Sequence, residues 1–146
     1  MNPLSGLGRP WTIDAPGKAF YVKPVSGNDG NTGLSPVKAV KTLVKALSLC
    51  TANKDDVVYF ISEGNSATNA SDRQAATLTW NKDHVHLIGI NAGPRISHRS
   101  RIAFASDYAT AAPLFTLSAN GCYIANIEFY AGVASANPTY AMYVTG

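Results

Sequence analysis

Apolar and polar positions divide the chain into an unpatterned start, one helical stretch and a series of short strands. Residues 1–19 hold Pro3, Pro10, Pro16, Gly6, Gly8 and Gly17 among few large side chains. Such a stretch builds no core and reads as an extended N-terminal arm. Residues 19–22 form a short apolar strand, and residues 26–33 are a loop of Gly, Asn and Asp that must turn sharply. Ser35 and Pro36 then open a helix expected over about 36–50, with Ser35 as its N-cap. Val37, Val40, Leu43, Val44, Leu47 and Cys50 recur at helical spacing as one apolar stripe. Lys38, Lys41 and Lys45 fall on the opposite, solvated face. From Asp55 onward the pattern predicts strands at 57–61, 76–80, 85–90, 101–105, 114–117, 122–130 and 140–144. The first of these is continuously apolar, as suits a strand buried on both faces or laid under the helix.

The strands contain a repeat. Residues 77–90 align with 114–127 at a spacing of 37 and without a gap. Leu78 meets Phe115, Trp80 meets Leu117, Val85 meets Cys122, Leu87 meets Ile124 and Ile90 meets Ile127. Both units read strand, four-residue polar corner, strand, and residues 140–144 begin a third after a shorter connection. Self-similarity on this scale, with only strands and corners, is the signature of a β-solenoid.

The run Gly27-Asn28-Asp29-Gly30-Asn31-Thr32-Gly33-Leu34-Ser35-Pro36, followed by Lys41-Thr42-Leu43-Val44-Lys45-Ala46-Leu47, resembles the opening segment of right-handed parallel β-helix proteins of the pectate-lyase-like class. The resemblance covers about residues 19–146 and implies an all-β fold: a short right-handed parallel β-helix, or solenoid, with an N-terminal capping α-helix and an extended N-terminal arm. The arm is expected over 1–19 and the β-helix domain over 20–146, with the capping helix at about 36–50 and coils at about 55–146. That class includes lyases, hydrolases, epimerases and non-catalytic virion proteins, so the fold alone names no function. A Gly/Pro arm without a signal peptide is most similar to structural proteins of tailed bacteriophages. The chain departs from the class in having about three coils.

Composition narrows the functional classes. Charged residues are 14% of the 146, against about 25% in an ordinary domain, which disfavours disorder and coiled coils. A net charge of +3 is too weak for a dedicated nucleic-acid binder. No apolar run is long enough to span a membrane, and residues 1–10 lack the apolar core of a signal peptide. Cys50 and Cys122 make no disulfide framework and fall on apolar positions, as buried hydrophobes do.

The candidate chemistry is sparse. Asn28, Asp29 and Asn31 offer oxygen ligands, but their spacing misses the calcium-loop pattern and reads as a turn. His84 and His86 share one face of a strand, yet the next unit offers Gly121 and Tyr123 and no third ligand, so they are expected as surface or corner histidines. Glycan cleavage needs paired acids. The strand region holds only Asp83, Asp107 and Glu128, with Asp83 set beside Asn120 and Glu128 beside Asn91, while Glu63 and Asp72 lie in polar loops. Arg95, His98, Arg99 and Arg101 form a basic run expected as a solvated loop. Tyr123, Tyr130, Tyr140 and Tyr143 are expected to divide between the core and a subunit contact. No catalytic residue, cofactor or metal is expected. The expected function is that of a non-catalytic structural component of a bacteriophage virion, a capsid-decorating or fibre/spike protein attached through its arm. Leu4, Leu7, Trp11 and Ile13 are the anchors. Expected partners are other virion proteins of capsid or tail and further copies of the chain, a trimer among the forms, with no membrane and no specific nucleic acid. The alternative is a polysaccharide lyase or hydrolase fragment, or a carbohydrate-binding module.

Overall fold

A computed structural model describes residues 17–63, 72–90, 100–105, 112–130 and 140–145. Strand β1 (Ala19–Val22) is followed by a 3-10 turn (Pro36–Lys38) and helix α1 (Leu43–Leu49). Then come β2 (Val57–Ile61), β3 (Asp72–Gln74), β4 (Leu78–Trp80), β5 (His86–Ile90), β6 (Ser100–Phe104), β7 (Phe115–Leu117), β8 (Ile124–Ala125), β9 (Ile127–Tyr130) and β10 (Met142–Val144). They assemble into three sheets ordered β1-β2-β5-β8, β3-β6-β9 and β4-β7-β10, and every strand pairing is parallel.

This arrangement corrects the expected fold class. The described strands form three small, separate parallel sheets with one α-helix, not a single right-handed β-helix solenoid. The physical reason lies in the corners. Strands of two to five residues give way at corners where His84, Gly121 and Asn126 take positive φ, so each row of strands ends there as a separate short sheet, while single backbone bonds such as His84 N–H to the Asn120 carbonyl tie the corners together. Asn126, with φ 56°, divides the expected 122–130 strand into β8 and β9.

The repeat survives as register. Leu78 pairs with Phe115, Trp80 with Leu117 and Leu87 with Ile124, the spacing of 37 read from the sequence. Met142 then pairs with Phe115 from the other side, which places β10 where the third unit was expected. Parallel pairing sets like positions over one another, so apolar residues stack into a common core. Trp80 is fully buried, stacks on Phe115 at 6.1 Å and donates its Nε1–H to the Val85 carbonyl at 2.9 Å.

The expected 36–50 helix is corrected to the 3-10 turn and the seven-residue α1. Ser35 caps the turn, Thr42 caps α1, and between them the backbone is extended. Val40 N–H donates to the Tyr21 carbonyl and Lys23 N–H to the Val40 carbonyl, both at 2.9 Å. Pairing with β1 therefore outcompetes helix at Val40. Val37 and Val44 are consequently exposed, whereas Val40, Leu43, Leu47 and Cys50 are buried. Lys38 and Lys41 are exposed as expected, and Lys45 is half-buried. The expected arm boundary also moves: Ala19 lies in β1, and Lys18 N–H already donates to Asp56 Oδ1 at 2.7 Å.

Candidate functional site

Polar chemistry gathers in two places, and the first is the start of α1. Asn28 Oδ1 accepts from Gly30 N–H at 2.8 Å, and Asn31 Nδ2 donates to the Ala39 carbonyl at 2.9 Å. Asp29 accepts from Lys41 N–H at 2.7 Å and from Thr42 N–H and Oγ1–H at 2.9 Å each. The loop read as a turn thus uses these groups to hold the 26–42 segment in shape. Asp72, expected in a loop, lies in β3 and is buried, where its Oδ2 accepts from Leu43 N–H at 2.8 Å. Burial pushes its carboxyl up to about 6; the Leu43 N–H opposes this and the nearby Asp29 charge adds to it. Glu63 ties down the opposite side of the same loop. It accepts from Val25 N–H at 2.8 Å, from Ser26 N–H at 2.9 Å and from Ser26 Oγ–H. Partial burial pushes this carboxyl up, but the Ser26 and Val25 hydrogen bonds outweigh it and hold it below the usual range.

The second place joins Asp55, before β2, to His84 and His86, at the start of β5. Asp55 Oδ1 lies 3.4 Å from His84 Nδ1 and 3.5 Å from His86 Nε2. Asp55 and His84 both have left-handed backbones, φ 55° and 54°, a conformation that costs non-glycine residues energy and recurs at functional positions. The His84 ring lies over Gly121, where an added Cβ would sit 2.8 Å from it. His84 is a corner histidine as expected, with 50% of its side chain exposed, but His86 is buried with only 8% exposed. Sequence spacing brought the two histidines together and missed Asp55. Its place depends on the β2–β5 register, which sets Val57 opposite His86 and which no local pattern carries.

Hydrogen bonding fixes the state of His86. Tyr123 N–H donates to its Nδ1 at 3.0 Å, so Nδ1 carries the lone pair and the neutral ring holds its proton on Nε2. Nε2 is buried, has no hydrogen-bond partner and faces Asp55. A nitrogen that carries a proton is no metal ligand. Among the described residues, no group of three or more His, Cys, Asp or Glu side chains is arranged to hold a metal ion.

Among the described residues, the C-terminal strands carry a group of exposed apolar side chains, Tyr130, Tyr140, Met142, Tyr143 and Val144. Sheet order places β8, β9 and β10 each at an edge. Phe115 is fully buried, whereas Met142, its pairing partner, is 36% exposed; Ile102 is fully buried, whereas its partner Phe129 is only partly so. Tyr140 and Tyr143, 60% and 49% exposed, stack on one another at 6.1 Å. Tyr130 lies under the Arg101 guanidinium at 4.9 Å, and Tyr123 is half-buried.

Of the expected acids, Asp83 Oδ1 accepts from Asn120 N–H at 2.8 Å, as the repeat placed it. Glu128 pairs with Arg101 at 2.7 Å and lies opposite it in the β6–β9 register. Burial pushes the Cys50 thiol up to about 12; Cys122, expected as buried, is only half-buried, and its thiol is also raised by burial. Both cysteines are free. The arm anchors Leu4, Leu7, Trp11 and Ile13 lie outside the described residues, as do Arg95, His98, Arg99 and Asp107. No helix among the described residues is long and apolar enough to cross a membrane. No family model, curated protein or solved structure matches the chain.

Proposed function

We propose that the chain is a non-catalytic structural component of a bacteriophage virion, attached through residues 1–16 and in contact with other copies through β8, β9 and β10. The observation that carries this reading is the third row of strands. Each of the three sheets ends there on an edge, and an edge strand presents unpaired N–H and C=O groups ready to pair with another chain. Core residues that are fully buried one strand earlier become half-exposed at this edge. Assembly onto a partner restores both the hydrogen bonds and the burial. The described carboxylates fit a structural role as well, since Asp29, Asp56, Asp83 and Glu128 all engage groups of the protein itself.

The test is deletion of residues 2–16. The far-ultraviolet spectrum should stay unchanged, while co-purification with phage particles from infected cells is lost. Wild-type stoichiometry in the particles after deletion removes the arm from the attachment. Absence of the full chain from purified particles removes the virion reading itself. The exposed Tyr140–Tyr143 pair favours a second reading, a carbohydrate-binding module. Retardation of the full chain in gels containing a soluble polysaccharide, abolished by Tyr143→Ala, would favour that reading.

A further inference from the structure

We propose that His86 is a proton-operated latch: neutral, it holds Tyr123 and the start of β8 against β5, and protonated, it releases them. Tyr123 is clipped to β5 by both of its backbone groups. Its N–H donates to His86 Nδ1 at 3.0 Å, and its carbonyl accepts from Leu87 N–H at 2.8 Å. A backbone N–H can only donate, so the bond needs a lone pair on Nδ1. A proton taken from solvent by Nδ1 occupies that lone pair and sets two donors against each other across 3.0 Å. Turning the ring over offers no remedy, because it brings a C–H to the same place. Tyr123 N–H must then leave.

Charged and titratable groups face His86 from the segments packed against it. Asp55 Oδ1, from the segment before β2, lies 3.5 Å from Nε2. His84, from the turn before β5, shares that same oxygen at 3.4 Å and is the competing titrating group. Asp56 is engaged elsewhere, since its two oxygens accept from Lys18 N–H and Thr51 N–H. On the β8 side stand Cys122 and Tyr123, neither of them charged at neutral pH. Strand β8 pairs with β5 through Leu87–Ile124 and Ile88–Ala125, and Ile124 is only partly buried against the core. Local release there is independent of whether the chain belongs to a virion.

The experiment is amide hydrogen exchange of the 15N-labelled full chain from pH 8 to 5, corrected for intrinsic exchange. Tyr123 protection should fall as pH falls, by up to about tenfold per pH unit where a single proton drives the release. Leu78 N–H, bonded to the Leu114 carbonyl in another sheet, should stay level. His86→Asn leaves an acceptor oxygen near the place of Nδ1 and cannot take up a proton, so its Tyr123 profile should be flat. His84→Asn should leave the fall in place. Level Tyr123 protection in the wild type, or an equal fall in His86→Asn, overturns the latch. Should His86→Asn not fold, the wild-type imidazole 15N shifts decide: a proton on Nε2 at pH 8 supports the latch, and a proton on Nδ1 overturns it.

Discussion

Replacing Asp72 with Asn should stabilise the protein at pH 7.5 relative to its effect at pH 3.5. Asp72 is buried in β3 and accepts the Leu43 N–H at the start of α1. Burial raises its carboxyl from 3.8 to about 6, against the Leu43 N–H and with help from the Asp29 charge. The folded protein therefore holds this proton more tightly than the unfolded chain does. The resulting stabilisation is fully present below about pH 4 and is lost as pH rises through about 6. A move of that size corresponds to about 3 kcal/mol, and near-complete burial leaves little solvent screening to reduce it. Asn keeps an oxygen for the Leu43 N–H and carries no charge to desolvate. Urea unfolding of both proteins at the two pH values gives the measurement. Variant stability minus wild-type stability should rise by about 3 kcal/mol from pH 3.5 to 7.5. Carboxylates common to both proteins cancel in that difference. A difference that stays constant would refute the assignment of a buried, proton-holding Asp72.

Two further substitutions test the packing. Leu43→Asp puts a charge where side chains are fully buried and should cost roughly 3 kcal/mol or more, whereas Lys41→Asp, on exposed surface, should change stability by about 0.5 kcal/mol at most. Equal shifts in Tm for the two would show that α1 does not pack as described. At Gly89 an added Cβ would lie 2.0 Å from the Asn126 carbonyl oxygen and 2.8 Å from Ser100 Cβ, so Gly89→Ala should cost about 1–3 kcal/mol in urea unfolding, and a neutral result would contradict this close approach of β5 to the β8–β9 corner.

What the sequence revealed, and what it hid, follows from how each feature is encoded. The strands at 19–22 and 57–61 were legible because their apolar runs sit between polar and turn residues. The register of 37 was legible because parallel pairing sets Leu78 on Phe115 and Leu87 on Ile124, leaving the same pattern twice in the chain. Val40 misled because an apolar residue three positions before Leu43 suits a helix as well as a bridge to Val22. Only its hydrogen bonds with Tyr21 and Lys23 distinguish the two, and no local pattern carries them. The strand Asp72-Arg73-Gln74 is polar throughout, and its place depends on distant partners, β6 in the sheet and Leu43 N–H, 29 positions away, on Asp72. Asp55 was hidden for a similar reason, since its place beside His84 and His86 depends on β2–β5 pairing. A single solenoid was over-read from periodicity, which records repeated units but not whether pairing continues through their corners.

Asp72 and His86 answer to the same protons with opposite effects, at opposite ends of the molecule. Helix α1 packs against β1 and β2, at one edge of the four-stranded sheet, and Asp72 steadies its first turn. Tyr123 lies at the other edge of that sheet, where β8 follows β5. As pH falls through about 6, Asp72 takes up its proton and the helix end gains stability. The proton on His86 acts the other way and frees Tyr123. General acid denaturation would lower global stability and Tyr123 protection together. The arrangement of these two groups instead separates them, with the urea midpoint holding or rising as Asp72 takes up its proton while Tyr123 exchange accelerates. Such a divergence can arise only if the edge that carries the exposed apolar residues opens without the rest of the protein unfolding. An edge that opens alone is suited to gaining and losing partners while its scaffold stays folded.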